Sequence, residues 1–363
     1  MMIVWAALGA LALSFALAAL ATPPAKRVAH RLGMLDMPGR HKAHAKPTPL
    51  LGGSAVFAAI LGPGLLVLAL ARVWAAKGAP PWLPESIAIH IPGAAARAPM
   101  ALGIFAAAAV LHVVGIIDDR KHLGPWLKLI VQGGAATFVV LVCGVRILTL
   151  AGPTLSILAS IFWIVAITNS FNFLDNMDGL TTGVAIICAA ALLGASASMG
   201  QLFVSGLLCL MIGAMAGFLP ANFPPASIFL GDGGSLVIGF LLAVASCLAT
   251  YVRPGQASSL YGVFVPLVAM AIPLYDTASV VFIRLREGRN PMVGDRRHFS
   301  HRLLGRGMNV RTTVLTIYLC AAATAVAAVL LPRVDSAGAI LVFAQTGAIL
   351  LILALLEANP PRP

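Results

Sequence analysis

Charge is scarce in this sequence. Only 10% of its 363 residues are Asp, Glu, Lys or Arg, and only twelve are acidic. With 60% apolar residues and a mean hydropathy of +0.97, the chain cannot clothe a water-soluble globule in polar groups, which excludes the soluble classes. Cysteine is equally sparing. Cys143, Cys188, Cys209, Cys247 and Cys320 all lie inside apolar runs with no CxxC spacing, so packing is favoured over disulfides or zinc. There is no internal repeat, no low-complexity tract and no separate soluble domain.

What the sequence does have is long apolar runs. Crossing a hydrocarbon core of roughly 30 Å takes about 20 residues. Runs of that kind stand at 2–21, 51–71, 99–117, 125–143, 154–173, 180–198, 202–219, 235–252, 261–283, 313–331 and 338–357. The chain is therefore expected to be an all-α, polytopic membrane protein of about eleven transmembrane helices. The first run lacks a basic segment before it and is followed by cationic residues, so it is read as a retained helix rather than a signal peptide.

Basic residues give the expected orientation, because short loops rich in Lys and Arg stay cytoplasmic. Segments 23–50 and 284–312, the Arg120-Lys121 turn and Arg362 hold 17 of the 24 Lys and Arg residues, and the opposite loops hold 6. The N-terminus is expected outside and the C-terminus inside, with cytoplasmic loops near 23–50, 118–124, 174–180, 220–234 and 284–312 on a single catalytic domain spanning 1–363. The net charge of +12 follows from this topology and from attraction to anionic headgroups or phosphorylated substrates, so membrane lipids and no nucleic acid are the expected partners.

Five of the twelve acids gather on that inner side, where apolar runs stop. Asp118-Asp119 ends the third run. Asn169, Asn172, Asp175 and Asp178 recur every third residue, which on a helix would make one oxygen-bearing stripe suited to a hard cation. Asp232 precedes a helix start, and Phe229 nearby offers a flat face on which a base can stack. In isolation, helix capping is the favoured reading of the aspartate pair and of Asp232; it does not explain the stripe. The last inner loop carries Asp295-Arg296-Arg297-His298-Phe299-Ser300-His301-Arg302, where arginines around two histidines suit phosphate better than zinc. Asp276, an isolated acid in the ninth run, is expected to support these groups. An ion-coupled transporter would put its polar residues near the span centres, which here are apolar, and a non-catalytic lipid-binding scaffold would need neither the stripe nor the histidines.

Together these motifs resemble the polyprenyl-phosphate N-acetylhexosamine-1-phosphate transferase family, glycosyltransferase family 4. The resemblance rests on the Gly33–His44 loop leading to Pro47–Gly53, on Asp118-Asp119, on Asn169–Leu180, on Phe229-Leu230-Gly231-Asp232 and on His298–His301, in family order. The first loop and the spaced histidines look most like the N-acetylglucosamine-1-phosphate branch. Asn176 departs from the family pattern, in which many relatives have Gly.

The resemblance implies transfer of N-acetylhexosamine-1-phosphate from a UDP-sugar to a polyprenyl phosphate, undecaprenyl phosphate given the bacterial look of the motifs. UMP is released and magnesium is the cofactor, with manganese as an alternative ion. It implies a bacterial cytoplasmic membrane enzyme acting at the start of envelope polysaccharide assembly, with its site on the cytoplasmic face. Asp232 and Asn172 would be metal ligands with Asp175 in or beside that shell, and Asp118 and Asp119 would position or deprotonate the lipid phosphate. Lys128 would lie near the diphosphate. Asp178 and Phe229 would hold uracil, and Asn222 would face the nucleotide. Arg296, His298, His301 and Arg302 would close over diphosphate and sugar, with Lys42 and His44 also among the substrate contacts. Another UDP-N-acetylhexosamine is the alternative donor, and a homodimer is left open.

Overall fold

The computed structural model describes residues 2–37, 47–251, 257–290 and 297–358. Among these the chain is almost wholly helical: α1 Met2–Leu32, α2 Gly52–Lys77, α3 Glu85–Ala88, α4 Ile91–Lys121, α5 Pro125–Leu141, α6 Pro153–Leu174, α7 Leu180–Ser198, α8 Leu202–Asn222, α9 Asp232–Leu248, α10 Val265–Ala269, α11 Ala271–Arg286, α12 Phe299–Leu304, α13 Val310–Leu330 and α14 Ser336–Ala358. Two short strands, β1 Leu35–Asp36 and β2 Thr48–Pro49, pair antiparallel.

Each of the eleven apolar runs falls on one of these helices, or on the α10–α11 pair. Among the described residues, eight segments qualify by length and composition to cross a bilayer, and the bent pair Leu260–Ala269 with Ala271–Arg286 makes up to nine. Helices α5 and α9, at 17 residues, extend about 25 Å and stand at the short end of the range for a membrane span. The 62° bend between α10 and α11 has a local cause. Pro273 has no N–H to give the carbonyl of Ala269 one turn back, and the Cys188 thiol donates to that oxygen instead, at 3.2 Å.

Helix α9 is the axis of the fold. It is buried from Gly233 to Cys247 and packs against α2, α4, α6, α7 and α8, as a helix apolar all round must. Glycines let its first turn sit close to two neighbours. A Cβ on Gly53 of α2 would lie 2.3 Å from the backbone nitrogen of Gly234, and one on Gly115 of α4 would lie 2.4 Å from that of Gly233. The same corner is tied by hydrogen bonds. His112 Nδ1 is 2.7 Å from the Gly233 carbonyl, so this nitrogen donates, leaving Nε2 to accept from the Ser54 hydroxyl at 3.2 Å. The N–H groups of Gly52 and Gly53, orphans at the start of α2, donate to the carbonyls of Phe229 and Leu230 at 3.0 and 2.8 Å. The loop before α9 is thus held to the start of α2, and Phe229 N–H returns a bond to Pro49 O at 2.8 Å.

Alanine at Gly53 or Gly115 must push backbone against backbone, which overpacking data put at about 1–3 kcal/mol or more. Both variants are expected to unfold at lower temperature in detergent than the wild type. Gly62→Ala, with nothing within 4 Å of the added methyl, is expected to unfold with the wild type in the same thermal scan.

Candidate active site

The site forms where the C-terminal ends of α4 and α6 meet the start of α5 and the first turn of α9. Its centre is one ammonium between two carboxylates. Lys128 Nζ donates to Asp118 Oδ2 at 2.8 Å and to Asp232 Oδ2 at 2.9 Å, with the lysine side chain 21% exposed. Asp232 turns its other oxygen to Asn172, whose Nδ2 donates to Asp232 Oδ1 and to Ser235 Oγ, both at 2.9 Å. Ser235 lies three residues after Asp232, on the same helix face, and that spacing is the signal by which it could have been found.

Asp119 does something different from its neighbour. Its Oδ1 accepts from the backbone N–H of Asp232 at 3.0 Å and its Oδ2 from that of Gly233 at 3.4 Å, so it caps the N-terminus of α9 across a separation of more than a hundred residues. The expected catalytic pair is thus divided: Asp118 meets the lysine, while Asp119 holds the helix that carries Asp232.

The expected stripe of four oxygen-bearing side chains on one helix breaks after Asn172, because α6 ends at Leu174. Asn169 faces α5, donating to Gln132 Oε1 at 2.5 Å. Asp175 and Asp178 lie in the turn that leads to α7, which Gly179 enters with a φ of +70°. Burial, followed by the negative charges of Asp232 and Asp119, pushes the Asp175 carboxyl well above the usual carboxylate range. Asp178 Oδ2 accepts from Ala226 N–H at 2.8 Å, tying this turn to the loop before α9.

These groups border a cavity of about 1210 Å³. Asp118, Asp119, Asp175, Asp178, Asn222, Phe229, Asp232 and His301 line it, so eight of the expected site residues come together. Lys128 and Asn172 stand behind the lining and act on it through Asp118 and Asp232. Asn222 borders the cavity, but its amide is committed to the fold: Oδ1 accepts from Thr182 Oγ1 at 2.8 Å and Nδ2 donates to Ile228 O at 3.0 Å. His298 is buried beside Asp276, its Nδ1 2.7 Å from Oδ2, and Asp276 Oδ1 accepts Phe299 N–H at 3.0 Å. Asp276 is therefore a support, as expected, and His298 is held away from the cavity wall. Arg302 turns to α14, where Nε and Nη2 donate to Glu357 Oε2 at 3.0 and 2.8 Å. Lys42, His44 and Arg296 lie outside the described residues.

Polar lining residues were also missed, among them Asp36, Thr48 and Asn309. Asn176, His122 and Arg311 likewise border the cavity. Arg311 Nη2 donates to Pro224 O at 3.0 Å with its guanidinium 5.8 Å from the Phe223 ring centre, so an arginine read only as a topology signal braces the loop before α9.

Among the described residues no three Asp, Glu, His or Cys groups converge tightly enough to enclose a metal by themselves. Asp118 Oδ1, however, is buried with no hydrogen-bond partner. An oxygen placed like this, beside Asp232 and the Asn172 amide, fits a hard cation that takes one or two carboxylates and completes its shell with phosphate and water.

The residues from 101 to 250 match the model of glycosyl transferase family 4. A Mycobacterium tuberculosis (strain H37Rv) protein, "Decaprenyl-phosphate N-acetylglucosaminephosphotransferase", is 33% identical over 327 residues, which cover 82% of this chain and 76% of that one. The chain belongs to glycosyl transferase family 4. The Bacillus subtilis (strain 168) "Probable undecaprenyl-phosphate N-acetylglucosaminyl 1-phosphate transferase" is 28% identical over 319 residues, 85% of this chain and 80% of that protein. The Escherichia coli (strain K12) "Undecaprenyl-phosphate alpha-N-acetylglucosaminyl 1-phosphate transferase" is 27% identical over 313 residues, 82% and 76% of the two chains. The family 4 match runs from α4 to just past α9, so it contains the lysine, both of its carboxylate partners and the acidic turn; His298 and His301 stand beyond it.

Lys128→Met would leave Asp118 and Asp232 facing each other without a cation. Breaking a largely buried charge pair by removing one partner costs about 3 kcal/mol or more. The variant is expected to melt several degrees below the wild type in chelator, and to regain more of that loss than the wild type gains when millimolar magnesium is added. Fluorescence-monitored melting in detergent checks this.

Proposed function

We propose that the chain transfers N-acetylhexosamine-1-phosphate, foremost N-acetylglucosamine-1-phosphate, from the UDP-sugar to undecaprenyl phosphate with magnesium bound, giving a lipid-linked diphospho-sugar and UMP. The observation that carries this reading is the meeting of Asp118, Asp175, Asp178 and Asp232 with Lys128 at one end of an otherwise apolar bundle. The names of the relatives support it. An oxygen of the lipid phosphate attacks the phosphorus that bears the sugar, the bond from that phosphorus to the oxygen bridging the two phosphates breaks, and that oxygen leaves with UMP. One phosphoanhydride replaces another, so no further energy source enters.

The physical obstacle is the approach of two anions. Magnesium, when bound, supplies positive charge to the diphosphate and its leaving oxygen. Asp118 and Asp232 are the residues that would hold it, with Asn172 orienting Asp232 and Asp175 adjacent. Lys128, displaced from its carboxylates, would offer its ammonium to phosphate oxygens. Asp119 keeps α9 in register. Asp178 spends one carboxylate oxygen on Ala226 N–H and has the other for a uracil N–H, while Phe229 offers its ring to the base. His301 would meet the diphosphate or sugar, with Lys42, His44 and Arg296 as further substrate contacts. The cavity is larger than a typical single-ligand pocket, in keeping with two substrates meeting there. The site would face the cytoplasm of a bacterial inner membrane, where UDP-sugars are made, with the N-terminus outside, the C-terminus inside and the cytoplasmic loops near 23–50, 118–124, 174–180, 220–234 and 284–312.

Purified protein given UDP-N-acetylglucosamine and undecaprenyl phosphate is expected to release UMP only when magnesium is present, and Asp232→Ala is expected to lose at least a hundredfold in rate. Release with a different UDP-N-acetylhexosamine alone would change the donor; silence with every donor from folded protein would end the transferase reading. Orientation has its own check. In a cysteine-free background, cysteine at residue 335 should react with an impermeant maleimide added outside intact cells, whereas cysteine at residue 305 should react only after permeabilisation.

A further inference from the structure

Helix α12, Phe299–Leu304, carries His301 to the cavity yet has only six residues, too few to hold its own shape in water. Its place is set by side chains from elsewhere. Asp276 of α11 accepts from the N–H of Phe299 and pairs with His298. Arg302 is bound by Glu357 of α14 and by the Ser279 hydroxyl of α11 at 3.0 Å. A further tie comes from the acidic turn itself: the Ser300 hydroxyl, fully buried, donates to Asn176 Oδ1 at 2.6 Å. Asn176 in turn donates through Nδ2 to Phe173 O at 2.8 Å.

That second bond would be enough to close the end of α6. The first reaches out of the turn to a helix more than 120 residues further along the chain. The ties to Asp276, Ser279 and Glu357 hold α12 to α11 and α14. The Ser300–Asn176 bond connects it to the segment carrying Asp175 and Asp178: Asn176 follows the cavity-lining Asp175, and Ser300 precedes the cavity-lining His301.

We propose that Asn176 is a positioning residue: by accepting the Ser300 hydroxyl it sets His301 against the acidic turn, and so tunes the grip on the nucleotide sugar without itself taking part in the chemistry. With both of its polar ends already bonded within the protein, Asn176 acts on the substrate through His301. This inference rests on the transferase reading given above.

The test is steady-state UMP release from UDP-N-acetylglucosamine with undecaprenyl phosphate and magnesium. Asn176→Ala and Ser300→Ala are each expected to lower kcat/KM for the nucleotide sugar by about tenfold, the size of one net hydrogen bond. The KM for undecaprenyl phosphate should stay within about twofold of the wild type, and the double variant should be no worse than either single one. Ser300→Thr, which keeps the hydroxyl, should recover most of the loss. The decisive arm is His301→Ala: adding Asn176→Ala to it should cost nothing more. Wild-type kinetics in Asn176→Ala, full additivity with His301→Ala, or an equal rise in both KM values would overturn the positioning role while leaving the transferase reading intact. A folded wild type that releases no UMP from any UDP-N-acetylhexosamine would overturn both.

Discussion

One ammonium and two carboxylates organise the polar end of this protein. Lys128 comes from the first turn of α5, Asp118 from the last turn of α4 and Asp232 from the first turn of α9, so the bonds at 2.8 and 2.9 Å join three helices at a point. Asn172 extends the join to α6. Charges of this kind are costly near hydrocarbon unless each finds a partner, and the pairing meets that requirement for both acids with a single cation. It also keeps two carboxylates side by side, the pair to which the proposed reaction assigns its cation. The same geometry therefore serves both the stability of the protein and the chemistry proposed for it.

The apolar part of the fold exists to present that point. α9 is buried along nearly its whole length, and its first turn is gripped from two sides by backbone contacts that only glycine permits, with His112 reading the Gly233 carbonyl from a third direction. Asp119 meets the exposed N–H groups of the same turn. A helix end fixed from so many sides places Asp232 with little freedom, which is what a site that orients phosphate oxygens requires. The arginine and histidine loop follows a different plan: α12 is a short helix that buries Phe299 and Leu303 in the core and is stapled by Asp276, Asn176 and Glu357.

Much of this was legible in the sequence, for identifiable reasons. Apolar runs of membrane length can hardly be anything but buried or lipid-facing helices, and each landed on one. Acids stood out because the chain has so few, and eight of the residues they pointed to, directly or by resemblance, line one cavity. The periodic reading failed where it assumed that a helix continues. The every-third-residue pattern through Asn169, Asn172, Asp175 and Asp178 looked like a stripe, but the helix stops at Leu174 and the last two acids turn away to serve a loop and a cavity. Asn222, His298 and Arg302 carry the right functional groups and spend them on Thr182, Asp276 and Glu357, choices made by packing and invisible in a motif. Arg311 was hidden by the opposite error, since a basic residue at a helix end is adequately explained by topology alone.

The sequence by itself determined that this is a helical membrane protein, that its acids cluster at the ends of apolar runs, and that the motifs stand in the order of family 4. Those properties depend on composition and on spacing along the chain. The tertiary structure decided which acid of an adjacent pair meets the lysine and which caps a helix, because Asp118 and Asp119 point to different neighbours when α4 ends against α9. It also decided that Asn176 reaches Ser300 and that Lys128 sits between two carboxylates. Hydrogen bonds act over about 3 Å in space, and these partners are separated by ten to more than a hundred residues of chain, so only the packing of the helices could select them.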